Sequence, residues 1–179
     1  MNWYNKTYGT KLTLADNHPA DDDVEPWGTK DMYTARRRVH NFFETAEFLA
    51  ARPYREAIEV LRILSKSYAL VVITSRDNMI EKVTREWLDK HFRELFAEAH
   101  FTARYSVERK ARSKADVCLE IGAKYLIDDS LEQALEAVHK GMTVLLFGEY
   151  PWNQAAKLPK NIIRVTNWKA VLEYFDAQN

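Results

Sequence analysis

Two adjacent carboxylates end a short apolar run in the segment KYLIDDS, and their position calls for a chemical explanation. Residues 125–127 are typical of a buried strand, whereas Asp128 and Asp129 repel each other at its end. Successive side chains on a strand point to opposite faces, so the two carboxylates need not share one task. One can bind a hard cation such as Mg²⁺ while its neighbour orients a water molecule or a lysine. A simpler interpretation makes Asp129 a helix N-cap, but it leaves Asp128 unexplained.

Two further groups of polar residues stand at predicted element ends. Thr74, Ser75 and Arg76 follow the apolar run 68–73, and their hydroxyls and guanidinium, with the free backbone N–H groups of a helix start, suit an anion such as phosphate. Taken alone, a helix N-cap with a surface arginine explains them equally well. Lys114 stands at another predicted helix start, where its charge opposes the helix dipole. A nearby anion would offset that cost, and an ordinary exposed lysine is the alternative.

The elements that must position these residues alternate along the chain from residue 68 onward. Five strands are predicted, at 68–73, 98–102, 124–128, 143–147 and 162–165, with helices between them. This order predicts an α/β fold with a doubly wound, mainly parallel sheet and helices on both faces. The functional crevice of such a sheet lies at the carboxyl ends of its strands.

The N-terminal part has a different pattern. Residues 30–50 predict one helix, Pro53 begins another, and no convincing strand precedes residue 66. We therefore predict an N-terminal helical, cap-like segment at 1–52 and an α/β core at 53–179.

Composition limits the classes of partner and compartment. The chain has 179 residues, and 46% of them are apolar. Basic and acidic residues are equal in number (26 of each), so a nucleic-acid polymer or a membrane surface is not an expected partner. No apolar stretch is long enough to span a bilayer. The single cysteine, Cys118, excludes an internal disulfide and, among apolar neighbours, is interpreted as a small core residue. A soluble cytoplasmic protein is the expectation.

The order of the polar groups resembles the haloacid dehalogenase (HAD) superfamily, and within it the 5′(3′)-deoxyribonucleotidase-like phosphatases. VVITSR resembles the second motif of that family, which implies Thr74 as the phosphate-binding hydroxyl with residues 75–76 beside it. Lys114 matches the third-motif lysine, which in the family neutralises the phosphate and the nucleophile. YLIDDS resembles the fourth motif, with Asp128 and Asp129 as the acidic pair that secures Mg²⁺. LLFGEYPWN also resembles the segment that follows the next strand in these relatives.

The resemblance implies a HAD-like Rossmannoid core with a small helical cap, and a phosphate ester or nucleotide-like small molecule as ligand. It also implies a first motif, Asp-x-Asp, whose first Asp is the nucleophile and whose second is the general acid and base. Residues 11–16 alternate like a short strand and end in Asp16, but His18 stands where the second Asp belongs. Asp21 and Asp23 have the right spacing, but polar and Pro-bearing residues precede them.

Two expectations follow from the missing motif. Without a carboxylate nucleophile the phosphoaspartate route is closed, so phosphatase activity should be weak or lost. The family's first strand is central, so its absence should separate its neighbours or leave unpaired edges. The sheet must then close up, recruit another segment or pair with another chain, which makes a homo-oligomer an expectation.

Three functional hypotheses stay open at this point. The first is an active phosphomonoesterase, which needs an upstream motif or Asp16 as a substitute nucleophile. The second is a non-catalytic binding, regulatory or oligomeric pseudoenzyme. The third is a fold reused for other chemistry, with Arg76, the acidic pair and Trp152 lining the cleft.

Overall fold

The computed structural model describes residues 1–17, 24–76, 78–102 and 112–178. The chain forms two compact units, Met1–Ala51 (unit 1) and Arg52–Asn179 (unit 2). His18, Asp21 and Asp23 lie outside the described residues, so the acidic cluster noted in the sequence has no structural account. The cap role of the N-terminal segment stays a prediction.

Unit 1 is helical. Its helices are α1 (Asn2–Tyr8), α2 (Met32–Phe42) and α3 (Ala46–Leu49), with 3₁₀ turns at Leu14–Asn17 and Glu25–Trp27. The single helix predicted at 30–50 is wrong, because a turn after Phe42 separates α2 from α3. Thr45 causes the new start: its hydroxyl accepts a hydrogen bond from the backbone N–H of Phe48 at 3.2 Å and so caps α3.

The strand-like pattern at 11–16 does not form a strand. The Asn5 side chain takes the place of a strand partner, because its Oδ1 accepts from the Leu12 N–H at 2.8 Å and its Nδ2 donates to the Leu12 carbonyl at 2.9 Å. The chain then turns, and Asp16 Oδ2 accepts hydrogen bonds from the N–H and hydroxyl of Thr13, both at 2.7 Å. These bonds lower the pKa of Asp16. Asp16 therefore does not end a buried strand, as a first-motif nucleophile would.

Unit 2 has the alternating order that the sequence predicts. Its elements are α4 (Arg55–Leu64), β1 (Val71–Thr74), α5 (Glu81–Phe92), β2 (Glu98–Phe101), α6 (Lys114–Glu120), β3 (Tyr125–Asp128), α7 (Leu131–His139), β4 (Thr143–Phe147), β5 (Ile162–Val165) and α8 (Trp168–Asp176). Every strand pair in the described residues is parallel. The predicted α/β fold with mainly parallel strands is confirmed.

The strands form two separate sheets. β1 pairs with β2 in one, and β3, β4 and β5 follow one another in the other. In the described part of the chain no ladder joins β1 to β3, which is one of the outcomes expected of a sheet without its central strand. The side chains of β4 at 144–146 are fully buried, whereas all four residues of β1 are partly exposed. A continuously apolar run such as 68–73 predicts a strand that is covered on both faces, and the structure covers β1 less completely than that.

Apolar clusters cover both faces of the β3–β4–β5 sheet. One is formed with α6 and α7 and the other with α4 and α8, and because strand side chains alternate, Val144 and Leu146 enter the first while Leu145 enters the second. Cys118 is 1% exposed within the first cluster. Burial, with the nearby charge of Asp128 as a smaller cause, raises the pKa of its thiol to about 11. The prediction of a core cysteine is confirmed.

Candidate phosphate and metal site

The carboxyl end of β3 holds a buried ion pair. Lys114 Nζ lies 2.5 Å from Asp128 Oδ2, and the two side chains are only 14% and 5% exposed. The second carboxylate oxygen, Oδ1, accepts a hydrogen bond from the backbone N–H of Ser130 at 2.9 Å. Asp128 is therefore the anion that the sequence predicted beside Lys114, and both of its oxygens are engaged.

Local sequence explains how Lys114 reaches this position. Ser113 caps α6 by accepting a hydrogen bond from the Asp116 N–H at 3.0 Å, which fixes Lys114 as the first helical residue. Ala115, Val117 and Cys118 are buried and hold the helix against the core. The unfavourable position of a cation at a helix N-terminus is offset by its contact with a carboxylate.

Asp129 faces the opposite way and is exposed. Its Oδ2 accepts a hydrogen bond from the indole Nε1 of Trp152 at 3.0 Å, and its backbone carbonyl accepts one from Asn153 Nδ2 at 3.0 Å. The N-cap of α7 is Ser130, whose hydroxyl accepts from the Gln133 N–H. The simpler interpretation of Asp129 as a helix cap is therefore wrong, because Ser130 caps α7 and the Asp129 carboxylate bonds to Trp152 instead.

The segment that carries Trp152 is held by a fully buried amide. Asn153 Nδ2 also donates to the carbonyl of Phe147 at 3.0 Å, and Asn153 Oδ1 accepts from the Tyr150 N–H at 3.0 Å. Arg164 on β5 donates to Asn153 Oδ1 at 3.0 Å and to the Gly148 carbonyl at 2.6 Å. This network fixes the loop after β4 to the end of β3, and so fixes the indole against Asp129.

Gly148 lets this loop close tightly. Its φ is +77°, and a Cβ built there would lie 2.3 Å from the Tyr150 ring. The Tyr150 and Trp152 rings stack with centroids 4.7 Å apart and an interplanar angle of 3°. Sequence reasoning missed Asn153 and Arg164, because their roles depend on contacts between β4 and β5 that no local pattern shows.

The second predicted group, Thr74, Ser75 and Arg76, lies at the carboxyl end of β1, as expected. Thr74 Oγ1 accepts the Arg76 N–H at 3.3 Å, so this hydroxyl shapes the turn after the strand. The Arg76 guanidinium donates to the hydroxyl of Thr84 on α5 at 3.0 Å, and burial lowers its pKa. Ser75 is partly buried. No hydrogen bond within the described residues joins Thr74 or Ser75 to the acidic pair.

A chain of hydrogen bonds links the end of β1 to the start of α6. The Thr74 carbonyl accepts from the N–H of Thr102 at 2.9 Å, and the Thr102 carbonyl accepts from the Arg112 N–H at 3.1 Å. Thr102 is 2% exposed, and Lys114 follows two residues after Arg112. The structure thus brings Lys114, Asp128 and Asp129 to one strand end, and connects that end to the β1 terminus through backbone contacts.

The donor set decides what kind of metal site these residues can form. Across the residues that the structure describes, no three His, Cys, Asp or Glu side chains cluster as a metal cage would require. Mg²⁺, however, is commonly held by one or two carboxylates together with water and substrate phosphate. Asp129, exposed at the edge of the site, fits that mode, whereas Asp128 is occupied by Lys114 and the Ser130 N–H.

Comparison with known proteins identifies the family to which the chain belongs. A family model described as 5′ nucleotidase, deoxy (pyrimidine), cytosolic type C protein (NT5C) matches residues 1–178. The chain belongs to this family. Membership in the NT5C family confirms the resemblance to HAD-type nucleotidases that the sequence motifs indicate. None of the curated protein sequences matches the chain.

Two solved structures show the same fold. One is a haloacid dehalogenase-like family hydrolase from Streptococcus pneumoniae, with a TM-score of 0.68 and 18% identity over 97% of this chain and 87% of that one. The other, from Lactobacillus delbrueckii subsp. bulgaricus, is a protein whose name assigns it phosphoglycolate phosphatase activity. It has a TM-score of 0.56 and 15% identity over 87% of this chain and 72% of that one. At these identities the likeness concerns the fold alone. Among the described helices of this NT5C-family chain, none combines the length and apolar composition needed to traverse a bilayer.

Proposed function

We propose that this NT5C-family chain binds a phosphate monoester together with Mg²⁺ at the carboxyl ends of β1 and β3, and that hydrolysis by the chain itself is weak or lost. The observation that carries the proposal is the arrangement at the end of β3. A buried lysine contacts Asp128, while Asp129 is exposed beside it and oriented by Trp152. A phosphate dianion there would meet a cation on one side and a metal-binding carboxylate on the other.

Each residue has a distinct proposed role. Thr74, Ser75 and Arg76 form the part of the site that receives phosphate, through hydroxyl and backbone N–H groups at the end of β1. Lys114 neutralises phosphate charge while Asp128 holds its ammonium in place. Asp129 binds Mg²⁺ through its carboxylate, with water and phosphate as further ligands. When bound, Mg²⁺ supplies additional charge neutralisation at the phosphoryl oxygens.

We propose the loss of hydrolysis from the carboxylates that the described residues bring to the site. In unit 2, β1 ends in Thr74, and β3 ends in Asp128, whose two oxygens already have partners. Covalent catalysis needs an activated nucleophile. Asp16 does not end a strand, and its carboxylate accepts hydrogen bonds from the N–H and hydroxyl of Thr13. A non-catalytic role in binding phosphate or a nucleotide is therefore favoured over turnover, and an Asp-x-Asp strand encoded upstream would restore the active alternative.

The ligand we propose is a phosphate ester or nucleotide-like small molecule, and the compartment is the cytoplasm. These follow from the family and from the neutral charge of the chain. Self-association that completes the sheet is the remaining proposal from sequence, and sedimentation of the purified chain over a range of concentrations tests it.

The experiment that tests the proposed function compares three proteins. The wild-type chain, Asp129→Asn and the exposed control Asp89→Asn are assayed for hydrolysis of para-nitrophenyl phosphate and of a deoxynucleoside monophosphate, with and without Mg²⁺. We expect no Mg²⁺-dependent turnover above background from any of them. In thermal melts with phosphate, adding Mg²⁺ should raise the Tm of the wild type and of Asp89→Asn further but should leave the Tm of Asp129→Asn unchanged. Robust turnover that Asp129→Asn abolishes would contradict the loss of catalysis.

A further inference from the structure

The two oxygens of the Asp129 carboxylate have different surroundings. Oδ2 accepts a hydrogen bond from the indole Nε1 of Trp152 at 3.0 Å. Oδ1 has no hydrogen-bond partner within the described residues, and Asp129 is exposed to solvent. A ligand that approaches from solvent therefore meets a carboxylate with one oxygen held by a donor and one oxygen open.

The indole donor is fixed in place by its neighbours. The Trp152 ring stacks on that of Tyr150, with centroids 4.7 Å apart and an interplanar angle of 3°. Asn153, which is fully buried, accepts from the Tyr150 N–H and donates to the backbone carbonyl of Asp129, both at 3.0 Å. One buried amide thus holds the backbone on both sides of the contact between indole and carboxylate. Donor and acceptor are therefore preorganised before a ligand binds.

This hydrogen bond restricts how the Asp129 carboxylate can bind a metal ion. A cation chelated by both oxygens must share Oδ2 with the indole hydrogen, whose partial positive charge repels it. A cation bound through Oδ1 alone meets no such conflict, and the indole then continues to stabilise the charge on Oδ2. Two-oxygen chelation therefore has an additional cost, comparable to the strength of a hydrogen bond to a charged group.

The restriction distinguishes Mg²⁺ from Ca²⁺. Mg²⁺ keeps several water ligands and needs only one or two carboxylates, whereas Ca²⁺ takes about six to eight oxygen ligands and often binds a carboxylate through both oxygens. Among the described residues no three His, Cys, Asp or Glu side chains cluster, so Ca²⁺ has no group of further carboxylates to replace a lost oxygen. The adjacent Asp128 is already paired with Lys114. Loss of one Asp129 oxygen is therefore a larger penalty for Ca²⁺ than for Mg²⁺.

We propose that Trp152 is a positioning residue that makes the site select Mg²⁺ over Ca²⁺, because its indole N–H holds Oδ2 of Asp129 and leaves Oδ1 as the metal ligand. The inference rests on the proposed role of Asp129 in binding Mg²⁺. Trp152 acts through the carboxylate and needs no contact with metal or phosphate. A role confined to packing the loop after β4 would give the indole N–H no influence on which cation binds.

The test measures metal binding and does not depend on turnover. The wild-type chain, Trp152→Phe, Trp168→Phe and Asp129→Asn are titrated with MgCl₂ and, separately, with CaCl₂ at constant ionic strength, and the amide shifts of residues 128–131 are followed by NMR. Trp152→Phe keeps an aromatic ring to stack on Tyr150 and removes the N–H donor. Trp168→Phe is the matched control, because the Trp168 ring packs on Phe147, with centroids 5.2 Å apart, and donates no hydrogen bond to Asp129.

We expect the wild type and Trp168→Phe to bind Mg²⁺ more tightly than Ca²⁺. In Trp152→Phe the ratio of the Ca²⁺ Kd to the Mg²⁺ Kd should fall by about tenfold, the effect of one hydrogen bond to a charged group. An unchanged ratio in Trp152→Phe, together with Mg²⁺ binding that Asp129→Asn abolishes, would overturn this inference and leave the proposed function standing. Absence of Mg²⁺ binding that depends on Asp129 would overturn both.

A second measurement needs only the wild-type chain for its result. The indole N–H signal of Trp152 is assigned in the NMR spectrum by mutation, and its exchange with water is compared before and after saturation with Mg²⁺. Exchange should stay slow in the Mg²⁺-bound chain, because the hydrogen bond to Oδ2 persists while Oδ1 binds the ion. Exchange that Mg²⁺ accelerates by about tenfold or more would show that the ion displaces the indole, and would overturn the proposal even if Trp152→Phe fails to fold.

Discussion

Lys114→Met is expected to destabilise the chain by about 3–5 kcal/mol, the usual cost of leaving one member of a buried ion pair without its partner. A destabilisation of this size is expected because the Lys114 and Asp128 side chains are only 14% and 5% exposed and their charged atoms lie 2.5 Å apart. The variant keeps the aliphatic stem of the lysine, so lost packing is small. Asp128→Asn should also be costly, although its amide oxygen can still accept the Ser130 N–H.

The assay is urea unfolding at pH 7 followed by circular dichroism. With a urea dependence of about 2 kcal/mol per molar, a loss of about 4 kcal/mol lowers the midpoint by about 2 M. The matched control is Arg55→Met, which breaks the ion pair between Arg55 and Glu59. That pair has a similar separation, 2.9 Å, but its side chains are 92% and 57% exposed. An exposed pair of this kind contributes less than about 1 kcal/mol.

The double variant Lys114→Met/Asp128→Asn completes the cycle. Because it removes both charges, its cost should fall clearly below the sum of the two single costs. The reasoning is refuted if Lys114→Met costs no more than Arg55→Met. It is also refuted if the two single costs simply add, since the charges would then not interact in the folded chain.

Three further predictions concern buried groups near the site. Gln133→Leu should stabilise the chain by about 1–2 kcal/mol in the same urea assay, because both polar side-chain atoms of Gln133 are buried and have no hydrogen-bond partner among the described residues. Destabilisation would show that the amide has a partner in solution. Asn153→Ala should cost about 3 kcal/mol, since it leaves several buried donors and acceptors unpaired, and a cost below that of Arg55→Met would contradict the network. Burial raises the pKa of the Cys118 thiol to about 11 from an ordinary 9, because the folded chain favours the neutral thiol. The stability that this preference contributes is fully present below pH 9 and is lost as pH rises through 11. Wild type should therefore lose up to about 3 kcal/mol more than Cys118→Ala over that range, and parallel pH profiles would refute this.

The order of elements in unit 2 could be predicted because most of its strands are largely apolar and because α6, α7 and α8 begin at side-chain caps. β4 is an example of an apolar strand, and Ser113 is an example of a capping residue at a helix start. The predictions failed where a single side chain redirected the backbone. Thr45 begins a new helix inside an unbroken helical pattern, and Asn5 binds both backbone groups of Leu12 in a segment that alternates like a strand. Neither bond is visible in a hydrophobic pattern.

The site was predictable to a similar degree. A lysine at a helix start predicts an anion nearby, and the structure supplies Asp128. The separate task of Asp129 follows from strand alternation, but its partner does not, because Trp152 lies 23 residues further along the chain. Asn153 and Arg164 are beyond sequence reasoning, since their partners are mainly backbone carbonyls brought together by the sheet.

Binding of inorganic phosphate tests the central claim most directly. Isothermal titration of the wild-type chain with phosphate should show binding at one site that strengthens when Mg²⁺ is present, because metal and phosphate share ligands and neutralise each other's charge. Asp129→Asn should lose the effect of Mg²⁺, and Lys114→Met should lose phosphate binding itself. Phosphate binding that is absent from the wild type, or unchanged in both variants, would contradict a phosphate and Mg²⁺ site at the ends of β1 and β3.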